Sequence, residues 1–197
     1  ASALLSRAQA YWGLNRLVEA EKDYTEAIRL VSNFGALYRD RAQIRFGLGN
    51  QDGAMADFTV ALEKDPFDAD NYANRGSLKL LQYDFAGAGE DIRKGLFWQK
   101  GHPRSEYMLG LLHYSTGRYS DAVAQIDRAR DLGFRGSEAS ITRARSLYYL
   151  GTHEAAIRET AEGLQAFPAQ YDLTEIRARA RLARRDFALA LADAEAV

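Results

Sequence analysis

Three histidines, His102, His113 and His153, are the first residues to test for chemistry. A metal site would need two of them one helical turn apart, or a set of carboxylates around them. No HExxH or other paired spacing joins them. The chain has no cysteine, so thiolate ligands, thiol nucleophiles and disulfide scaffolds are excluded. Gly47, Gly49 and Gly53 look at first like a phosphate loop, but the spacing is wrong and no Lys followed by Ser or Thr completes it. There is no GxSxG nucleophile elbow. Acidic residues number 27 against 26 Lys and Arg, for a net charge of -1. Most carboxylates fall among bases, as on a solvated ion-pair surface. No catalytic constellation, metal or cofactor is expected, and a near-neutral chain is not a nucleic-acid binder. What remains is recognition chemistry: arginines, amides and tyrosines.

The elements that position these groups repeat. The chain is 197 residues long, 47% hydrophobic, with three prolines. Displaced against itself by 34 residues it falls into register as 1–34, 35–68, 69–102, 103–136, 137–170 and a truncated 171–197. Position 8 of each unit is small: Ala8, Ala42, Gly76, Gly110, Ala144 and Ala178. Position 20 is alanine throughout: Ala20, Ala54, Ala88, Ala122, Ala156 and Ala190. Position 27 is Ala27, Ala61, Gly95, Ala129 and Gly163, broken only by Val197. Position 24 carries Tyr24, Phe58, Ile92 and Ile126. Position 4 carries Leu4, Tyr38 and Tyr72 before weakening to Glu106, Ser140 and Thr174. Within each unit the apolar residues recur at helical spacing in two blocks, separated by turns at Gly13 to Asn15, Gly47 to Asn50, Gly117 and Gly151. Pro66, Pro103 and Pro168 fall at seams, where they break no helix. The spacing predicts a helical hairpin per unit, closed by small residues and stabilised by stacking on its neighbours.

This pattern resembles the tetratricopeptide repeat over the whole chain. The second unit matches best, with Tyr38, Ala42, Gly49, Ala54, Phe58, Ala61 and Pro66. The resemblance implies an all-α, right-handed superhelical solenoid of about six helix-turn-helix repeats, in one domain spanning 1–197. It implies a protein-interaction scaffold or adaptor that takes a peptide segment in its concave groove. Positions 2, 5, 6, 9, 12 and 13 would face that groove, placing Arg39, Gln43, Asn74, Arg104, Tyr107, Met108, Tyr114, Arg145 and Tyr148 there. Members that dock co-chaperones onto heat-shock chaperones grip a C-terminal carboxylate. They use a basic residue and an amide at positions 5 and 9, an Asn at position 6 of the next unit, and bases at 2 and 6 of the one after. Here these places hold Arg39 and Gln43, then Asn74, then Arg104 and Met108. Gln43 replaces the usual Asn, Met108 replaces a cation, and Asp40 sits beside Arg39. A reduced clamp for an acidic or C-terminal carboxylate, general peptide binding, and no groove ligand all stay open.

A secondary basic patch is expected from Arg143, Arg177 and Arg179, with Arg181, Arg184 and Arg185 following; an acidic protein partner or a solvated face would explain it. The last unit stops at position 27, leaving Leu189, Leu191 and Val197 near an apolar edge, with Tyr11 and Trp12 at the other end. A longer parent protein or homo-oligomerisation through these ends is therefore an expectation. So is a processed origin for a chain that opens at Ala1 without Met or a signal-peptide pattern. No apolar run is long enough to cross a bilayer; the compartment is left open, with the cytoplasm favoured. Two rival functions remain: a self-assembly module, and the targeting arm of a larger enzyme.

Overall fold

The computed structural model describes residues 2–196. Val197, the one break in the position 27 column, lies outside the described residues, as does Ala1. Among those described there are twelve α-helices and no strand. They fall into two compact units, 1–100 and 101–197. The first holds α1 (Ser2–Gly13), α2 (Leu17–Leu30), α3 (Gly35–Gly47), α4 (Gln51–Lys64), α5 (Ala69–Leu81) and α6 (Phe85–Trp98). The second holds α7 (Pro103–Ser115), α8 (Tyr119–Asp131), α9 (Ser137–Tyr149), α10 (His153–Ala166), α11 (Tyr171–Ala183) and α12 (Phe187–Glu195). Each unit is a stack of three helical hairpins, the solenoid arrangement expected from the period.

The hairpin turn has a fixed backbone solution. Position 15 of every repeat has positive φ: Asn15, Gly49, Tyr83, Gly117, Gly151 and Arg185. Glycine takes that conformation at no steric cost, and asparagine at little. Tyr83 and Arg185 adopt it without either advantage, which is why the third and sixth turns carry no sequence signal. Side chains then open several helices. Asn50, Asp68 and Asp84 accept from the backbone N–H groups of Gly53, Asn71 and Gly87, satisfying donors that a helix start leaves unpaired. Gly47, Gly49 and Gly53 are accounted for here as a helix end, a turn and a capped helix start.

The small columns close the hairpins. Alanines at position 20 are buried in all six repeats, as are the five described residues at position 27. Position 24 fills the space beside them with Tyr24, Phe58, Ile92, Ile126 and Thr160. Position 10 is a further buried column, Ile44, Leu78, Leu112, Ser146 and Ala180. Fully burying one of its large side chains contributes on the order of 1.5–3 kcal/mol. Position 4 stays buried where its residues become polar, and Glu106 and Ser140 are hydrogen-bonded there. Glu106 accepts from Gln125 and from Arg128 Nε at 2.9 Å, and Ser140 Oγ from Arg130 at 2.8 Å.

A polar column runs beside the apolar ones. Arg7, Arg41, Arg75 and Arg177 at position 7 reach Asp23, Asp57, Asp91 and Asp193 at position 23, each through two guanidinium nitrogens. At position 11, Arg45, Lys79 and Arg181 add a second cation to Asp57, Asp91 and Asp193 at 2.7–2.9 Å. Arg41 and Arg75 also donate across the seam to Thr25 and Thr59 at 3.1 and 3.3 Å. Every aspartate of this column is buried, so each bidentate pair fixes the two helices of a hairpin in one register.

Candidate functional site

In the second unit α9 packs against both α7 and α11, so three first helices of consecutive hairpins lie side by side. Four tyrosines gather there, at positions 12 and 13 of the first helices and 17 at the start of a second. Tyr119 and Tyr149 stack at 4.9 Å with 16° between ring planes. Tyr114 lies 5.9 and 6.2 Å from them. Tyr148 meets Tyr149 edge-on at 5.5 Å and His153 at 5.3 Å. Tyr149 is 52% exposed. Burial, with Tyr149 and Tyr119 nearby, pushes the Tyr114 phenol above its usual range although Arg145 opposes the shift. The four rings offer apolar faces with a hydroxyl at each edge.

Arg145 flanks the cluster and meets Asp172 at 2.6 Å, both side chains being more than a third exposed. Arg104, at the other end of α7, is exposed. Tyr107 and Met108 are buried, which corrects their expected place as groove-lining residues. Tyr107 stacks flat on Phe134 at 4.5 Å and 8°, because the chain after α8 returns over position 5. Burial pushes its hydroxyl up to about 12, a hydrogen bond with Thr142 opposing. Tyr114 and Tyr148 instead gather with Tyr119, Tyr149 and His153, which were not among the expected site residues, and Arg145 stands beside them. Tyr149 was legible at a groove-facing position; Tyr119 and His153 begin second helices, where no groove residue was sought.

Arg39, Gln43 and Asn74 lie in the first unit, Arg104 and Met108 in the second. Arg39, Gln43 and Asn74 are half-buried. The Arg39 guanidinium is already engaged: it donates to Asp40 at 3.0 and 3.1 Å and stands 3.7 Å from Asp68. Asp40 also accepts from the Tyr24 hydroxyl at 3.3 Å, whose own pKa burial and Asp40 raise to about 12. A cavity of about 400 Å³ opens beside Arg39, lined by Phe34, Ala36, Asp65, Asp68 and Asn71. Its acids make it a poor receptor for a further carboxylate.

The expected basic patch does not form. Arg143 binds Asp127 and Glu159 at 2.7 and 2.6 Å, and Arg177 binds Asp193. Arg179 binds Glu175 at 2.6 Å, and Arg184 pairs with Glu154 and Asp186. Residues spaced by two on a helix point in different directions, so this arginine run is divided among separate carboxylates. No group of three or more metal-ligating residues occurs among the described residues. The contact of His102 with Ser105 at 2.9 Å belongs to the cap of α7, where the ring nitrogen also accepts from the Ser105 backbone. No described helix is long and apolar enough to cross a membrane. On α12, Leu189 and Leu191 are 53% and 60% exposed.

The tetratricopeptide repeat family profile matches residues 2–69 and 107–171. Human tetratricopeptide repeat protein 13 is 29% identical over 133 residues, covering 65% of this chain and 15% of that protein. The chain spans between 13% and 26% of the curated relatives it matches. A tetratricopeptide repeat protein of Parabacteroides merdae superposes on all of this chain and 78% of its own, with a TM-score of 0.76 at 23% identity. YrrB, a protein of this repeat type with an unusual peptide-binding site, matches 86% of this chain and 88% of its own, with a TM-score of 0.61 at 20% identity. With repeat period, hairpin geometry and profile in agreement, the chain belongs to the tetratricopeptide repeat family, whose members are protein-interaction scaffolds.

Proposed function

We propose that the chain is an adaptor that captures an extended peptide segment along α7, α9 and α11. The observation that carries this reading is the cluster of Tyr114, Tyr119, Tyr148 and Tyr149, formed by the ends of α7 and α9 and the start of α8. Stacked tyrosines lose little conformational entropy on covering an apolar side chain, and their hydroxyls bond to peptide groups. A carboxylate of the ligand, terminal or side-chain, has its best anchor in Arg145. The Arg145–Asp172 pair is exposed, and such pairs are worth about 0–1 kcal/mol, so exchanging one carboxylate for another costs little. Arg39 would have to leave two acids, which weighs against the first-unit clamp. YrrB supports the family's capacity for this use.

A C-terminal peptide array, each sequence as free acid and as amide, tests the reading. Binding by wild type, weakened about tenfold or more in Tyr149→Ala and about threefold in Arg145→Ala, is expected. Equal binding of acid and amide would remove the carboxylate anchor and keep the aromatic site. Binding unchanged in both variants would refute the placement. A rival reading is self-assembly through the exposed leucines of α12; mass rising with protein concentration, and abolished by Leu189→Glu, would favour it.

A further inference from the structure

On α6 two adjacent exposed cations stand beside exposed aromatic rings. The arginines of the hairpin column are paired with acids, and so are Arg16, Arg29, Arg128, Arg130 and Arg179. Arg93 and Lys94 on α6 are exposed, and among the described residues no carboxylate lies within ion-pair distance of either. One turn along the same helix stand Phe97, 75% exposed, and Trp98, 45% exposed. Spacings of three and four residues put the two cations on the same side of the helix as these rings. Phe67, from the turn before α5, completes the patch: Trp98 meets it edge-on at 4.6 Å and meets Phe97 at 4.9 Å. The corresponding places on other second helices differ. On α2, Glu26 and Arg29 neutralise each other; α4 carries Thr59, Val60 and Glu63; on α8, Arg128 is held by Glu106.

We infer that this face docks an acidic segment of a partner protein, with aliphatic or aromatic side chains set among its carboxylates. The three rings are already packed edge to face, so covering them orders little that is not ordered now, and aromatic anchors of this kind dominate interface energetics. Arg93 and Lys94 lack a counter-charge, which carboxylates of the partner supply. Glu90 is exposed one turn earlier on α6, so the local positive charge is small. That balance suits a few carboxylates at set positions, and falls short of the four to eight or so basic residues that hold an anionic bilayer.

A display library of random dodecapeptides, selected on the full chain, tests this. Selected peptides are expected to be rich in Asp and Glu interspersed with Phe, Trp or Leu. Their affinity should fall about tenfold or more in Arg93→Glu/Lys94→Glu and in Phe97→Ser, both surface changes with helicity checked by circular dichroism. It should be unchanged in Tyr149→Ala, which separates this surface from the inner face. Selection of neutral or basic peptides, selection of none, or binding indifferent to both α6 variants would overturn the inference. So would retention on vesicles of equal parts phosphatidylserine and phosphatidylcholine that is lost in Phe97→Ser, since that result assigns the patch to lipid.

Discussion

The three hairpins of the first unit and the fourth hairpin, which opens the second, solve one problem in different ways. In the first unit every hairpin is locked by the same pair, Arg at position 7 on Asp at position 23. In the fourth hairpin both members change together, to Leu109 and Gln125. The carboxylate moves to Glu106 at position 4, buried, and Gln125 and Arg128 turn to it. In the fifth hairpin the acid is the longer Glu159, shared by Arg143 and Arg130. A buried carboxylate in this fold must be met by at least one donor, and where the donor is lost the acid moves with it. The regular hairpins of the first unit hold Arg41, Arg45 and Arg75 in buried ion pairs, whereas the second unit keeps Arg145 more exposed beside four tyrosines.

The largest expected effect comes from breaking the regular lock. Burial alone would raise the Asp91 carboxyl, but the hydrogen bonds and charges of Arg75 and Lys79 outweigh it and hold it below the ordinary carboxylate value. Asp91→Ala strands two half-buried cations and should cost about 3–5 kcal/mol in denaturant unfolding. Glu106→Ala should cost less, about 1–3 kcal/mol, because Arg128 is exposed and can turn to water. Equal losses would mean that the two hairpins are not held differently.

Acid titrates the same contrast. Asp23 is held below its ordinary value of 3.8, first by the hydrogen bond from Arg7, and Asp91 is also held below it. Carboxyls depressed on folding contribute fully above about pH 3.8, and that stability is lost as pH falls through their folded values. Unfolding followed from pH 7 to pH 2 should therefore steepen below about pH 4, and Asp91→Asn should flatten the curve.

A smaller effect separates two glycines at position 8. A Cβ on Gly110 would stand 2.7 Å from Ile126 Cδ1 and 3.0 Å from its Cγ1, whereas one on Gly76 would meet Ile92 Cγ1 at 3.4 Å. Gly110→Ala should destabilise by about 1 kcal/mol through overpacking. Gly76→Ala should be neutral or gain up to about 1 kcal/mol from helix propensity. The smallest effect is at the third turn. Tyr83→Gly relieves a left-handed side-chain residue and should stabilise by about 0.5–1 kcal/mol, reduced by the greater freedom of glycine when unfolded.

Much of the fold was legible because small residues tolerate few substitutes where two helices touch, so positions 8, 20 and 27 keep their period. The locking pairs stood in the same rows, with Arg7, Arg41 and Arg75 sixteen residues before Asp23, Asp57 and Asp91. They passed as solvated charges because a spacing of sixteen means nothing until the hairpin sets positions 7 and 23 opposite each other. The basic patch failed for the same reason: arginines adjacent in sequence were assigned one face, while their partners lie on different helices. Tyr107 and Met108 were read as groove residues from helical direction alone, which carries no information about the Phe134 segment that covers Tyr107. Tyr114 and Tyr148 were expected at position 12, but Tyr119 and His153, which pack against them, begin second helices and could not be paired with them from the period alone.

The most direct test of peptide capture on the inner face is a nitrogen-15 chemical-shift map of the full chain titrated with the best free-acid peptide from the array. The expected result is perturbation centred on Tyr114, Arg145, Tyr148 and Tyr149, with Arg39, Gln43 and Asp68 unmoved. Shifts centred on Arg39 and Asp68, or confined to α12, would contradict it.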